Sequence, residues 1–343
     1  MQHLFSFTLY LLLSSPMLVF GQSSIFTKQD FFVRLNTSDS IALREIRHPG
    51  SRTDTPAILL VHGGGANGLT CFDLDWRGNS FAEDLAEQGK CVVFVVDVRG
   101  WGKSSRPQAM NDAPDKHLPL VPVQDAAADI ARAIRTIAEH TTRNDLQLFG
   151  WASGGTWCAY ALAQDTTLQA MVGSLVLVNT MYGVKGSWEL RNSPSPEGAY
   201  RLVDAASFVR RWNATIPSLN KSEWREDEIE QAYSQAAVAA DPTNTQRVPP
   251  TARVPVAYWH EHVRMSEGNK LWDARQIKVA TLLVRGGLDF WSRPLDVETM
   301  QNEFVNAKEL QTLILPQGTH FLFLDKPERG KAQMLEAMQI FRQ

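Results

Sequence analysis

The chain has 343 residues, 44% hydrophobic and 21% charged, with 22 Gly and 17 Pro, which excludes collagen-like, coiled-coil and wholly disordered classes. Lys plus Arg (34) nearly balances Asp plus Glu (37), and the net charge of −3 gives neither a basic footprint for nucleic acid nor an acidic interaction arm. The 3 cysteines, Cys71, Cys91 and Cys158, allow at most one disulfide, and the absence of Cys-x-x-Cys removes the usual zinc and redox spacings.

In chain order, Leu4 to Phe20 is an almost wholly apolar run, and Val19-Phe20-Gly21 puts small residues where a signal peptidase cleaves. Residues 1–21 are therefore expected to be a signal peptide and the protein to be secreted, with an uncleaved anchor as the rival reading. The Asn-x-Ser/Thr sequons at Asn36, Asn213 and Asn220 are compatible with a secretory route. Gln29 to Leu35 and Ser40 to Ile46 read as antiparallel strands around the turn Asn36-Thr37-Ser38-Asp39. Ala57 to Val61 is an unbroken apolar run that ends in glycines, the signature of a strand covered on both faces. Further strands are expected at Cys91 to Val96, Leu146 to Phe149, Leu175 to Val178, Val279 to Val284 and Thr312 to Leu315. Helical patterns lie between them at Phe81 to Gln88, Val123 to Glu139, Thr156 to Ala163, Leu295 to Glu303 and Gly330 to Phe341. This alternation predicts an α/β fold, a mostly parallel central sheet with helices on both faces. Residues 22–182 form the first part of the core and 274–343 the second. The segment 183–273, richer in Trp, Ser, Pro and charge, breaks the rhythm and reads as an inserted lid of several short helices.

The chemistry is expected at the ends of the buried strands. His62-Gly63-Gly64-Gly65 follows the first of them, and glycines there turn backbone N–H groups towards a ligand oxygen, as charge building on a carbonyl requires. Asp97-Val98-Arg99-Gly100-Trp101-Gly102-Lys103-Ser104 reads as a tight loop with locally bonded Asp97 and Arg99, shaping the site without doing chemistry. Leu146 to Gly155 runs from strand to helix with Gly150 and Gly154 spaced as in a Gly-x-Ser-x-Gly nucleophile elbow, but the central residue is Ala152, which has no hydroxyl. Asp289 lies on the loop after one late strand and His320 on the loop after the last. His320 would move a proton, with Asp289 holding its tautomer.

In the order elbow, acid, base and in the spacing of these loops, the chain resembles the α/β-hydrolase fold superfamily over about Ile25 to Phe341. The stretch His62 to Asp73 together with Asp97 to Gly100 resembles single-domain esterases and lactonases acting on small esters. The resemblance implies Ala152 at the nucleophile position where Ser is expected, Asp289 and His320 as the other catalytic residues, and Gly64 and Ser153 as oxyanion-hole donors. Ser153 itself follows the apex of the elbow, and its side chain should point away from His320. Ala152 is then either an introduced or a natural replacement. Three functions follow: a carboxylic ester or lactone hydrolase with its nucleophile replaced; a non-covalent His–Asp general-base enzyme of the same fold, such as a lyase, cyclase or cofactor-free oxygenase; or a non-catalytic small-molecule binder.

Of the 10 Trp, Trp151 and Trp291 are expected, with Gly65, to line an apolar pocket for a substrate with an aromatic or long acyl part. His260-Glu261-His262 invites a metal reading, but i and i+2 do not share a helical face, so solvated or lid-packing roles are expected. Asp73 and Asp75 read as near-surface turn residues. No Gly-x-Gly-x-x-Gly follows the first long strand, so no dinucleotide, other cofactor, metal or nucleic acid is expected.

Overall fold

The structure is a computed structural model that describes residues 25–52, 54–193 and 195–342. The expected signal peptide lies outside them. Along the chain run β1 (Thr27–Arg34), β2 (Ser40–Arg47), β3 (Ala57–Val61), α1 (Gly68–Phe72), α2 (Phe81–Gly89), β4 (Val92–Asp97), α3 (Val123–Thr141), β5 (Leu146–Trp151), α4 (Ser153–Gln164), α5 (Thr166–Gln169) and β6 (Val172–Val178). Then follow β7 (Tyr200–Val203), α6 (Ala205–Thr215), α7 (Ile229–Ala239), β8 (Ala252–Pro255), α8 (Ala257–Ser266), β9 (Ala280–Leu288), α9 (Pro294–Glu303), β10 (Leu310–Thr319) and α10 (Lys331–Arg342).

Among the described residues eight strands form one sheet in the order β1-β2-β4-β3-β5-β6-β9-β10. The β1–β2 and β2–β4 pairs are antiparallel and the rest parallel. Successive side chains of a strand point to opposite faces, and every residue of β3, β4 and β5 is buried. Both faces of the sheet are therefore covered, which is why these strands are continuous apolar runs rather than alternating ones. The chain reverses its sheet order after β4, and the loops leaving the carboxyl ends of β3 and β5 open beside each other, the usual place for a ligand in such sheets.

The stretch between β6 and β9 differs from expectation in one respect. It contains α6, α7 and α8, but also an antiparallel ribbon of β7 with β8. Other local differences are small: β10 is longer than Thr312 to Leu315 because it continues as a largely exposed edge strand, and β9 runs on through Gly286 and Gly287, where the carbonyls of Gly318 and Pro316 approach too closely for a side chain.

One local expectation is corrected and another extended. Asp73 is not a near-surface residue: it is buried and takes Lys28 (2.7 Å) and Arg44 (2.8 Å) from the antiparallel edge and the Ser80 hydroxyl (2.7 Å). Asp75 is exposed, as a turn residue should be. The 97–104 loop is bonded locally, with Asp97 accepting the Lys103 N–H (2.9 Å), and also beyond itself. Asp97 receives the Gly68 N–H (2.8 Å) and the Asn67 amide (3.2 Å), and Arg99 makes a forked pair with Asp129 of α3 (2.5–3.0 Å). The three cysteines are buried and free, with Cys71 inside α1. Among the described residues no helix is long and apolar enough to cross a membrane.

Candidate active site

At the end of β5 the chain turns sharply into α4 through Ala152, whose φ of 53° and ψ of −118° lie in a region L-residues rarely occupy. Such a backbone costs on the order of 1–3 kcal/mol and persists only where the surroundings impose it. Here the Ala152 N–H donates to the Val178 carbonyl of β6 (2.9 Å) and its own carbonyl accepts from Gly155 (3.1 Å). The flanking glycines are required by close approach. A Cβ at Gly150 would lie 2.5 Å from the Gly155 Cα, and one at Gly154 would lie 2.6 Å from the Val61 carbonyl and closer still to that of His62. Strand, helix and the β3 loop therefore meet without side chains between them.

The acid and base follow β9 and β10, beyond β6 in the sheet. His320, on the loop after β10, places Nδ1 2.6 Å from Asp289 Oδ1. A carboxylate only accepts, so Nδ1 carries the proton and Nε2 is left as the basic nitrogen. Asp289 also receives the backbone N–H groups of Trp291 (3.0 Å) and Ser292 (2.8 Å) and the Ser292 hydroxyl (2.5 Å). Four donors thus fix its plane. The His320 backbone is pinned in turn: its carbonyl accepts from the Trp151 indole (2.8 Å) and the Asn179 amide (3.1 Å), while Asn179 Oδ1 accepts from Gly286 N–H (2.8 Å). The imidazole sits among Trp151, Phe290 and Phe321, with ring centroids 4.7, 4.5 and 5.3 Å away.

A cavity of about 520 Å³ lies over these residues. Its floor includes Gly63, Gly64, Gly65, Ala152, Ser153 and His320. Trp151 and Trp291 line it as well; Asp289 does not, standing behind His320. The stretch between β6 and β9 supplies the opposite wall, including Leu190, Arg201, Phe208, Arg211, Tyr258 and Trp259. Every site residue read from the sequence is therefore at the cavity or directly bonded to a residue that is. The Ser153 side chain is buried, and its hydroxyl makes no hydrogen bond among the described residues.

His62 turns away from the cavity chemistry. Its Nδ1 bonds the Gly63 carbonyl (2.7 Å) and its Nε2 accepts from the Val98 N–H (3.1 Å), tying the glycine loop to the loop after β4; burial lowers its pKa, consistent with a neutral ring. In α8, His260 bonds the Pro196 carbonyl (2.9 Å), whereas His262 is fully buried between the Tyr258 carbonyl (2.6 Å) and Thr156 (3.3 Å). The two rings diverge and pack, as their spacing implies. Between them Glu261 is buried, accepts the Val123 N–H (2.8 Å), and burial pushes its carboxyl up to about 7.

Several residues at the site escape sequence reasoning. Asn179 follows β6 with no motif around it, and its φ of 49° is the only local oddity. Tyr258 stands against Gly64 so closely that a Cβ there would lie 2.5 Å from its ring. Phe290 and Phe321 adjoin Asp289 and His320 in sequence, which is the one signal that could have marked them.

Comparison with known proteins agrees with this architecture. A family model described as "Alpha/beta hydrolase family" matches residues 58–330. No curated protein matches the chain. Among solved structures, a thermophilic esterase from Thermogutta terrifontis is 19% identical with a TM-score of 0.58, covering 92% of this chain and 100% of that one. A membrane phospholipase A described as a bacterial virulence factor is 19% identical with a TM-score of 0.59, covering 93% and 87%. The 2-hydroxy-6-oxo-6-phenylhexa-2,4-dienoate hydrolase from Rhodococcus sp. strain RHA1 is 16% identical with a TM-score of 0.58, covering 92% and 100%. At these identities the structures speak for the fold, and the family match over most of the length settles membership: the chain belongs to the α/β hydrolase family.

Proposed function

We propose that this is a hydrolase site for a carboxylic ester or lactone in which the nucleophile is replaced by Ala152, with Asp289 and His320 as acid and base. The observation that carries it is the elbow: a non-glycine residue held at φ 53° at the entry to α4, on the same cavity as a His320 whose other ring nitrogen is bonded to Asp289. A bound carbonyl oxygen would take the backbone N–H groups of Gly64 and Ser153, and the stretch 183–273 would act as the lid that excludes water and selects the substrate. The aromatic lining suits a small molecule with an apolar or aromatic part, with Trp151, Trp291 and Gly65 in contact with it. Lacking an Oγ at position 152, the chain as it stands forms no acyl-enzyme, yet oxyanion donors and binding alone retain some acceleration when a triad member is missing. The leader read in residues 1–21 would send the protein to the secretory route.

The test is Ala152→Ser assayed on a panel of 4-nitrophenyl esters and lactones. Hydrolysis well above the parent's residual rate is expected in the Ser variant; a folded Ser variant no faster than the parent across the panel overturns the reading. The complete His320–Asp289 pair favours one second reading, a general base acting without a covalent intermediate. That reading requires turnover by the parent that disappears in His320→Ala. Binding that ignores His320 without turnover would instead mark a non-catalytic binder.

A further inference from the structure

The wall that the inserted stretch contributes to the cavity is cationic. Arg201 comes from β7, and Arg210 and Arg211 from α6; all three line the cavity, and among the described residues no Asp or Glu does. Elsewhere the enclosed arginines are either paired with a carboxylate or, like Arg106 and Arg285, held by backbone carbonyls. Arg253 is paired with Asp241, Arg293 with Asp296, and Arg99 with Asp129. Among the described residues neither Arg201 nor Arg210 has a carboxylate within ion-pair distance. Arg211 has only Glu189, at 3.7 Å, whose side chain is 80% exposed.

Arg201 is the informative one. A guanidinium presents five N–H donors and no acceptor. Here one donor is used: Nη2 gives a hydrogen bond to the Tyr258 hydroxyl (2.9 Å). The Nε–H is buried and makes no bond among the described residues. Leaving a charged group's donor without a partner away from water costs free energy that a ligand oxygen would recover. Its partner Tyr258 packs against Gly64, so Arg201 stands one tyrosine ring from the glycine loop. The Trp259 ring lies 5.9 Å from the guanidinium carbon, and the Phe290 ring beside His320 lies 5.8 Å from that of Arg211. Aromatic faces and guanidinium groups share this wall, where Arg210 gives one donor to the Ser207 hydroxyl (2.8 Å) and Arg211 one to the Ser193 hydroxyl (3.2 Å).

We infer that the molecule this cavity accepts carries a carboxylate, received by Arg201, with Arg211 and Arg210 adding positive potential along the same wall. A planar, delocalised guanidinium matches a carboxylate, and charge-assisted bonds of this kind are about twice as strong as neutral ones. The inference rests on the reading that this cavity is the substrate site, and narrows its substrates to esters or lactones of a molecule that keeps a free acid group away from the reacting carbonyl. Atoms of the apolar part meet the aromatic rings, while the acid group meets the arginines.

The experiment compares matched pairs on the parent protein by calorimetry and tryptophan fluorescence: phenylacetate with phenylacetamide, 4-phenylbutanoate with its amide, and hexanoate with its amide. At least one acid should bind roughly tenfold or more tighter than its amide. Arg201→Gln should erase that advantage while leaving the amide's affinity within about twofold, and Arg211→Gln should reduce it only in part. Acids that bind no tighter than their amides in all three pairs overturn the inference, as does an advantage that survives in a folded Arg201→Gln protein. Monomethyl adipate and dimethyl adipate, given to Ala152→Ser, separate this from the hydrolase reading. Cleavage of both esters with no preference for the monoanion leaves the hydrolase standing and sinks the inference. Arg201-dependent acid binding with neither ester cleaved does the reverse.

Discussion

Replacing Gly154 by Ala should unfold the elbow from the inside, and replacing Gly65 by Ala should not. In the first turn of a helix alanine normally gains about 0.5–1 kcal/mol over glycine through the unfolded state. At Gly154 the added Cβ would sit 2.6 Å from the Val61 carbonyl and nearer still to that of His62. Both obstacles are backbone, one at the end of the buried strand β3, so neither can swing aside like a side chain. Relief needs α4 and the β3 loop to separate in a close-packed interior, and overpacking of this kind costs about 1–3 kcal/mol or more. Taking the upper end and subtracting the helix gain leaves a net loss of about 2 kcal/mol. At Gly65 nothing lies within 4 Å of the added Cβ and φ is not positive, so stability should change by less than about 0.5 kcal/mol even though the methyl enters the cavity. Urea unfolding followed by circular dichroism measures both, and thermal midpoints should fall by roughly 4 °C for Gly154→Ala. A Gly154→Ala protein as stable as its parent would refute the claim that strand–helix contact dictates glycine here. Equal damage from Gly65→Ala would refute it too.

Other outcomes follow from the same geometry. In the Ala152→Ser background, Asp289→Asn should keep the fold and lower ester hydrolysis by about three to four orders of magnitude, because an amide leaves His320 in the wrong tautomer; a loss below tenfold in rate assays would show that the pair does not work as a unit. His262 is fully buried, and burial lowers its pKa from 6.5 to about 4. The folded state therefore binds fewer protons than the unfolded chain, so this contribution is present above pH 6.5 and lost as pH falls towards 4. Glu261 and Asp325, raised by burial to about 7, act in the opposite direction over overlapping pH, so the parent's profile alone is ambiguous. The readout is the difference between parent and His262→Gln, which should move by about 3 kcal/mol in the variant's favour between pH 7 and pH 4. A difference that stays flat across that window contradicts a neutral buried imidazole.

The parts of this molecule that were legible in its sequence are those whose environment is uniform along the chain. Ala57–Val61 is buried at every position, so its composition carries the whole message, and its bounds match the strand end to end. Asp289 and His320 were legible because loop position after a strand and order along the chain both pointed to them. The ribbon of β7 and β8 was not, since its two short strands pair across a long stretch of chain and one ends in Pro255, so neither has a local signal for the other. Asp73 was misread for a related reason: Lys28 and Arg44 arrive from the antiparallel edge, and a spacing cannot show that two cations converge on one turn. Arg201 and Tyr258 belong to the same class. Their meaning depends on how the inserted stretch folds back over the glycine loop, and no periodicity encodes that.

The hydrogen bonds of Asn179 and Trp151 have a mechanical consequence. His320 grows from β10, an edge strand with one neighbour and much of its length in water. Its carbonyl, however, hangs from the ends of β5 and β6 in the middle of the sheet, and the same Asn179 amide holds β9 at Gly286. The position of the base is thus referenced to the stiff centre of the molecule rather than to its border. A displacement of β10 or α10 must therefore work against these bonds to reach the imidazole, which holds the geometry over Ala152 more firmly than the periphery.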